Sequence, residues 1–89
     1  MAVQINLKLI TRKGCHLCEE AEADLARVIA GFTALNPDKP YTVEVLDVDA
    51  DTKLYEHYSE EVPVLLLNGE QIAFFSIDVE RVMARLSSL

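Results

Sequence analysis

Positive charge is scarce in this chain. Its 89 residues hold eight Lys and Arg against fifteen Asp and Glu, a net charge of −7. So few cations cannot neutralise a phosphate backbone, which excludes nucleic acid as a partner and disfavours an anionic membrane surface. Long apolar runs are missing as well: Gln4, Asn6 and Lys8 interrupt the apolar residues of the first ten. No basic segment followed by a continuous apolar one marks a secretory signal, and no stretch approaches a membrane span. Repeats, linkers and low-complexity tracts are absent. Cysteine is limited to Cys15 and Cys18, so close together that a bond between them closes only a tiny loop. They cannot form the disulfide framework of a small secreted scaffold, and the expected location is the reducing cytoplasm.

What is present is a chain 51% apolar, enough for one domain, residues 1–89, with a modest core. Val3 to Leu9 alternates apolar and polar residues strictly and reads as a strand. Thr11 to Gly14 is a short loop. From Cys15, apolar residues recur at Leu17, Ala21, Leu25, Val28, Ile29 and Phe32, one face of an amphipathic helix ending near Gly31. Asn36 to Pro40 is a loop and Tyr41 to Val48 a second strand. Asp49 to Asp51 offers the N-cap of a short helix through Leu54, Tyr55 and Tyr58. Val64 to Leu67 is a strand of buried character, and Asn68-Gly69 is the preferred dipeptide of a type I′ hairpin, so Gln71 to Phe75 returns antiparallel. Ser76 or Asp78 caps a last helix with Val79, Val82, Met83 and Leu86 inward. The order β-α-β-α-β-β-α implies an α/β fold, a four-stranded mixed sheet with helices on both faces. Cys15 then falls just outside the carboxyl end of a strand, where such sheets place their chemistry.

Gly14-Cys15-His16-Leu17-Cys18 holds both thiols at the mouth of the first helix, one turn apart. Three uses are open: electron transfer, metal binding, or packing. Only a thiolate attacks a disulfide, so a redox cysteine needs its pKa lowered. Cys15 has three means at hand: the unsatisfied N–H groups of the first helical turn, the upstream Arg12-Lys13, and the adjacent His16. Cys18 lies deeper in the helix and beside Glu19, which keeps it a protonated thiol. Cys15 is thus the expected nucleophile and Cys18 the resolving thiol. Arg12 and Lys13 divide between solvating the loop and steering anionic thiols, and His16 between bystander and pKa tuner. A closed zinc site wants four ligands, whereas only two cysteines and a sequence-distant His57 are available; a copper, zinc or iron–sulfur site shared between chains stays open. So does a binding module that performs no turnover. Asp47, Asp49 and Asp51 are expected to cap and face solvent, His57 to lie on the surface, and Tyr41, Tyr55, Tyr58, Phe74 and Phe75 to pack in the core or at its rim.

Strand, C-x-x-C at a helix mouth, crossover, then Val62-Pro63 before a buried strand: this succession resembles the thioredoxin superfamily, and most closely its compact bacterial glutaredoxin-like group with Cys-His-Leu-Cys. The resemblance covers nearly the whole chain and implies a thioredoxin fold and thiol–disulfide oxidoreductase activity. It further implies that Pro63 is cis and packs beside the cysteines, that the Val62 backbone pairs with a substrate strand, and that Asp78 matches an acidic glutathione-binding position. Lys13 and His16 complete the expected substrate contacts. The chain departs from its relatives at His16-Leu17, where glutaredoxins carry Pro-Tyr, and in having no Trp before the first cysteine as thioredoxins do. It also departs at Phe74-Phe75, where glutaredoxins carry the two glycines that let glutathione approach. The expected partners are protein or low-molecular-weight thiols and disulfides, engaged by a monomer without a cofactor; glutathione would enter only as a co-substrate.

Overall fold

The computed structural model describes residues 4–89. Four strands form one sheet: β1 (Asn6–Thr11), β2 (Thr42–Asp47), β3 (Val64–Leu67) and β4 (Glu70–Phe74). Their spatial order is β2-β1-β3-β4, with β1 parallel to β2 and antiparallel to β3, and β3 antiparallel to β4. The helices are α1 (His16–Leu35), α2 (Thr52–Tyr58) and α3 (Val79–Ser87), with a 3₁₀ turn at Val48–Ala50 leading into α2. This is the α/β order read from the sequence, with helices on both faces.

The two faces are covered unequally, and this places the site. Leu7 and Leu9 of β1 and Leu65 and Leu67 of β3 point to one face, where they meet Ala21, Leu25, Val28 and Phe32 of α1 and Val82 and Leu86 of α3. Ile10, Val64 and Leu66 point to the other, where Val48 and the partly buried Leu54, Tyr58 and Val62 cover them. The short α2 therefore shields only the end of the sheet nearest the cysteines. At the other end Asn6, Lys8, Thr42 and Glu44 stay exposed on that face.

Several boundaries differ from those expected. Strand β1 begins at Asn6 and continues to Thr11, past the end of the alternation at Leu9, because α2 buries Ile10 on the opposite face; Val3 lies outside the described residues. Helix α1 runs on through Gly31 to Leu35 and is capped by Asn36, whose backbone N–H and side-chain amide both donate to the Phe32 carbonyl. Gly31 is a contact point rather than a helix end: a Cβ there would lie 2.8 Å from Met83 Cε of α3. That methyl is the tip of a flexible, partly buried side chain. Gly31→Ala is accordingly expected to stabilise the protein by about 0.5 kcal/mol, since the helix propensity gained approaches 1 kcal/mol and the Met83 tip can turn aside. A lower denaturant midpoint for the variant would show instead that Met83 is locked.

The hairpin forms as expected, with Asn68 at φ 52° and Gly69 at φ 86°, the two positive angles of a type I′ turn. Beyond it the pairing slips: Leu65 opposes Ala73 but Leu66 opposes Gln71, leaving Ile72 as a bulged residue. Strand β4 ends one residue earlier than expected, and Asp78, not Ser76, caps α3. Four aromatics expected in the core or at its rim, Tyr41, Tyr55, Phe74 and Phe75, are between 40% and 52% exposed. Phe74 lies on an edge strand, Tyr41 just before one, and α2 buries none of its residues fully, so a second covering layer is missing at each place. Phe32 is the aromatic that fills the core.

Candidate active site

The site is built where β1 runs out. Lys13 and Gly14 turn the chain, with Gly14 at φ +74°, a conformation glycine adopts without steric cost. Cys15 then serves as the N-cap of α1: its backbone is extended (φ −91°, ψ 114°) and its Sγ accepts from the Cys18 backbone N–H at 3.1 Å. A sulfur thus fills the capping place that Ser or Asp usually occupies. Cys15 and Cys18 are joined as a disulfide, with their Cα atoms 5.2 Å apart. The two sulfurs differ in access. Cys15 is half-buried, whereas Cys18 is 3% exposed against the core.

Arg12 is not a free cation beside the thiols. Its Nε and Nη2 fork onto Asp49 Oδ2 and Oδ1 at 3.0 and 3.2 Å, and Nη1 donates to the Ser59 carbonyl at 3.2 Å. Donating to the Asp49 carboxylate raises the guanidinium pKa. Arg12 therefore straps the cysteine loop to the turn after β2 and to the end of α2, the segment that leads into Pro63. The three aspartates divide accordingly. Asp47 caps the 3₁₀ turn, Asp51 caps α2, and Asp49 receives the arginine.

The remaining expected site residues fall in three places. Lys13 is exposed on the loop before Cys15 and enters no ion pair among the described residues. His16, 82% exposed, turns along α1 toward Glu20, with Nε2 at 3.1 Å from its carboxylate and Nδ1 4.0 Å from that of Glu19. Its ring thus engages acidic neighbours rather than the sulfur. Pro63 is buried, follows a cis bond from Val62, and leads into Val64, which pairs with Ile10 at the end of β1. That register brings the Val62-Pro63 turn to the sheet end carrying the cysteines. Val62 itself is half-buried, and its backbone N–H and C=O have no hydrogen-bond partner among the described residues. Asp78 caps α3, as the sequence offered: its Oδ1 accepts the Arg81 backbone N–H at 3.2 Å. His57 is on the surface of α2, as expected, with Nδ1 2.9 Å from the Lys53 carbonyl.

Two features escaped the sequence. Phe75 adopts a left-handed conformation, φ 65°, which a bulky residue rarely takes. Its N–H donates to the Pro63 and Glu61 carbonyls, at 2.8 and 3.3 Å, which pins the chain there. The Phe74 and Phe75 rings, 5.0 Å apart, are left half in solvent beside the Pro63 turn. The absence of glycine at Phe74-Phe75 was the only available signal. The second feature is the Arg12 strap, a pairing between residues 37 positions apart that no local pattern announces. Among the described residues no group of three or more His, Cys, Asp or Glu is arranged to hold a metal ion. No helix among them is long and apolar enough to cross a membrane.

Comparison with known proteins places this geometry. Residues 6–87 match the family described as "Glutaredoxin-like domain (DUF836)". A glutaredoxin-like protein of Dictyostelium discoideum is 26% identical over 90 residues, covering 96% of this chain and 78% of its own. An uncharacterised protein of Mycobacterium tuberculosis is 26% identical over 83 residues, covering 91% and 81%. The X-ray structure of the structural-genomics target XcR50 from X. campestris superposes with a TM-score of 0.69 at 30% identity, over 93% of this chain and 97% of that one. The Drosophila thioredoxin Deadhead superposes at 0.61 with 20% identity, over 97% and 81%, a likeness of fold alone. The match extends from β1 through α3, and with its thioredoxin fold and C-x-x-C helix cap this chain belongs to the glutaredoxin-like domain family.

Proposed function

We propose that the protein is a thiol–disulfide oxidoreductase in which Cys15 attacks and Cys18 resolves. The observation that carries this reading is the unequal placement of the two sulfurs: one half-exposed and capping a helix, the other buried behind it. In the dithiol form, the Cys18 N–H and the positive end of α1 favour a thiolate at Cys15, which lowers its pKa from that of an ordinary thiol. That thiolate attacks one sulfur of a substrate disulfide. The other substrate sulfur departs with the bonding electron pair and takes a proton from solvent. Cys18 then gives up its proton and attacks Cys15 Sγ, expelling the second substrate sulfur as a thiolate that takes up a proton in its turn. Two electrons and two protons have passed to the substrate, and the protein is left with the Cys15–Cys18 bond. An external thiol, small or protein-borne, reverses the sequence and restores the dithiol.

The Val62 backbone groups, free at the turn beside the cysteines, offer an extended substrate two hydrogen bonds. Pro63 forms the wall behind them, and Phe74 and Phe75 provide apolar contact for a polypeptide. Lys13, which lines the cleft beside the sulfurs and enters no ion pair among the described residues, steers thiolates toward them, with His16 at the rim. Asp78 contributes through the position of α3 rather than as a free ligand group, which favours protein disulfides over glutathione. We place the reaction in a reducing cytoplasm, carried out by a monomer that needs no cofactor.

The test is single-turnover reduction of hydroxyethyl disulfide by the dithiol protein, alongside pH-dependent alkylation. Reduction at one disulfide per protein, with Cys15 alkylated below the pH at which a free thiol reacts, is the expected result. An alkylation profile like that of a free cysteine, without turnover, would sink the assignment. Zinc or copper that co-purifies with the protein and is lost on replacing both cysteines would favour the metal reading instead.

A further inference from the structure

On the side away from Pro63, the disulfide opens onto a second surface. A cleft of about 310 Å³ is lined by Cys15 and Cys18 and by the carboxylate residues Glu19, Glu22 and Asp47, with Val45 on its floor. Glu22 and Val45 are shared with a second hollow, of about 370 Å³, that continues down between α1 and β2 over Leu25, Ala26, Ile29 and Val43. Together they form one trough, acidic at the disulfide and apolar beyond it. Val45 and Val43 are 54% and 36% exposed, although their register partners Leu9 and Leu7 are fully buried. Strand β2 is a sheet edge, so its outer N–H and C=O groups are also unpaired by any neighbouring strand.

Resting on the oxidoreductase reading above, we propose that this trough docks an extended segment of the partner protein, basic beside the partner's cysteine and apolar further along. Charge complementarity selects the basic end. Among the described residues lining the mouth, Arg12 is spent on Asp49, which leaves Lys13 as the cation facing the carboxylates of Glu19, Glu22 and Asp47. Apolar complementarity selects the rest. Val43 and Val45 lie two residues apart on one face, about 7 Å along the strand, the spacing at which an added strand presents alternate side chains. From Asp47 to Val43 the trough spans about 13 Å, so an extended partner reaches the valines within about four residues of its cysteine. A second copy of this chain fits poorly. It carries the same net charge of −7 and would set acidic mouth against acidic mouth.

The experiment uses the dithiol protein and synthetic peptides whose single cysteine is disulfide-bonded to 5-thio-2-nitrobenzoate, with release of the chromophore followed in single turnover. One peptide carries Lys-Arg beside the cysteine and then Val-Thr-Val; a second replaces Lys-Arg with Glu-Asp; a third keeps Lys-Arg and replaces both valines with Ser. At low salt the first is expected to react about tenfold faster than the second, the ratio shrinking toward about twofold near 1 M salt, where the Debye length falls to about 3 Å. The third should lag the first, and Val45→Asp should remove that difference; rate ratios within one protein cancel any loss of folded material. Equal rates for the cationic and anionic peptides would overturn the docking proposal while leaving the oxidoreductase reading intact. Failure to reduce any peptide or hydroxyethyl disulfide would remove both. Dimerisation at micromolar concentration that Val45→Asp abolishes would overturn it in favour of a second copy in the trough.

Discussion

Replacing Cys18 with Ser is expected to leave the protein able to start exchange but unable to finish it. A mixed disulfide accumulates at Cys15, visible by mass as one substrate half per chain and removed by dithiothreitol. Replacing Cys15 with Ser is expected to abolish exchange to the level of the uncatalysed reaction, because the buried Cys18, 3% exposed, cannot meet a substrate sulfur. The two substitutions remove the same kind of atom from positions three residues apart, so a difference in outcome measures position rather than chemistry. Both variants should remain folded: a serine hydroxyl at residue 15 can still accept the Cys18 N–H as an N-cap, and the disulfide closes too short a loop to contribute much chain entropy. If Cys15→Ser retains exchange and Cys18→Ser loses it, the roles are reversed and the helix-cap argument fails with them.

The largest effect on stability is expected at Leu65. It is fully buried, pairs with Leu9 on one side and Ala73 on the other, and faces the layer made by α1 and α3. Leu65→Ala should cost about 3 kcal/mol, combining lost burial with the cavity left among strands that cannot close inward. For a domain of this size that is a fall in Tm of more than about 10 °C, and a large part of the total stability. Val45→Ala, on the same face but at the exposed edge, should change stability by less than about 0.5 kcal/mol. Chemical denaturation would compare the two through their midpoints at constant slope. Similar losses would mean that the edge strand is as tightly packed as the centre.

Local patterns carried the element order well, because each rests on neighbours in sequence. Alternation marked β1, the three-and-four spacing marked α1, and Asn68-Gly69 marked the hairpin. They misplaced ends wherever a distant segment set the boundary. Gly31 read as a helix stop because nothing nearby shows Met83 of α3 crossing it. Ile10 read as past the end of its strand because the cover supplied by α2 begins some forty residues later. Aromatic residues were expected in the core or at its rim, and the edge positions of β2 and β4 leave Tyr41 and Phe74 at the half-exposed rim without a covering layer.

At the site the division is sharper. Sequence alone determined the pair of thiols, their spacing on a helix, their order along it, and the acidic balance of the chain, since all of these are properties of adjacent residues. Only the tertiary structure decided what surrounds them. Arg12 read as a cation for Cys15; folding brought Asp49 and Ser59 to its guanidinium, and a fork with two hydrogen bonds to a carboxylate outcompetes a looser attraction to sulfur. The Phe75 backbone, the open Val62 groups and the trough over Val45 exist only once four strands have been set side by side. Pairing across a sheet joins residues that sequence separates, and no local period encodes that pairing.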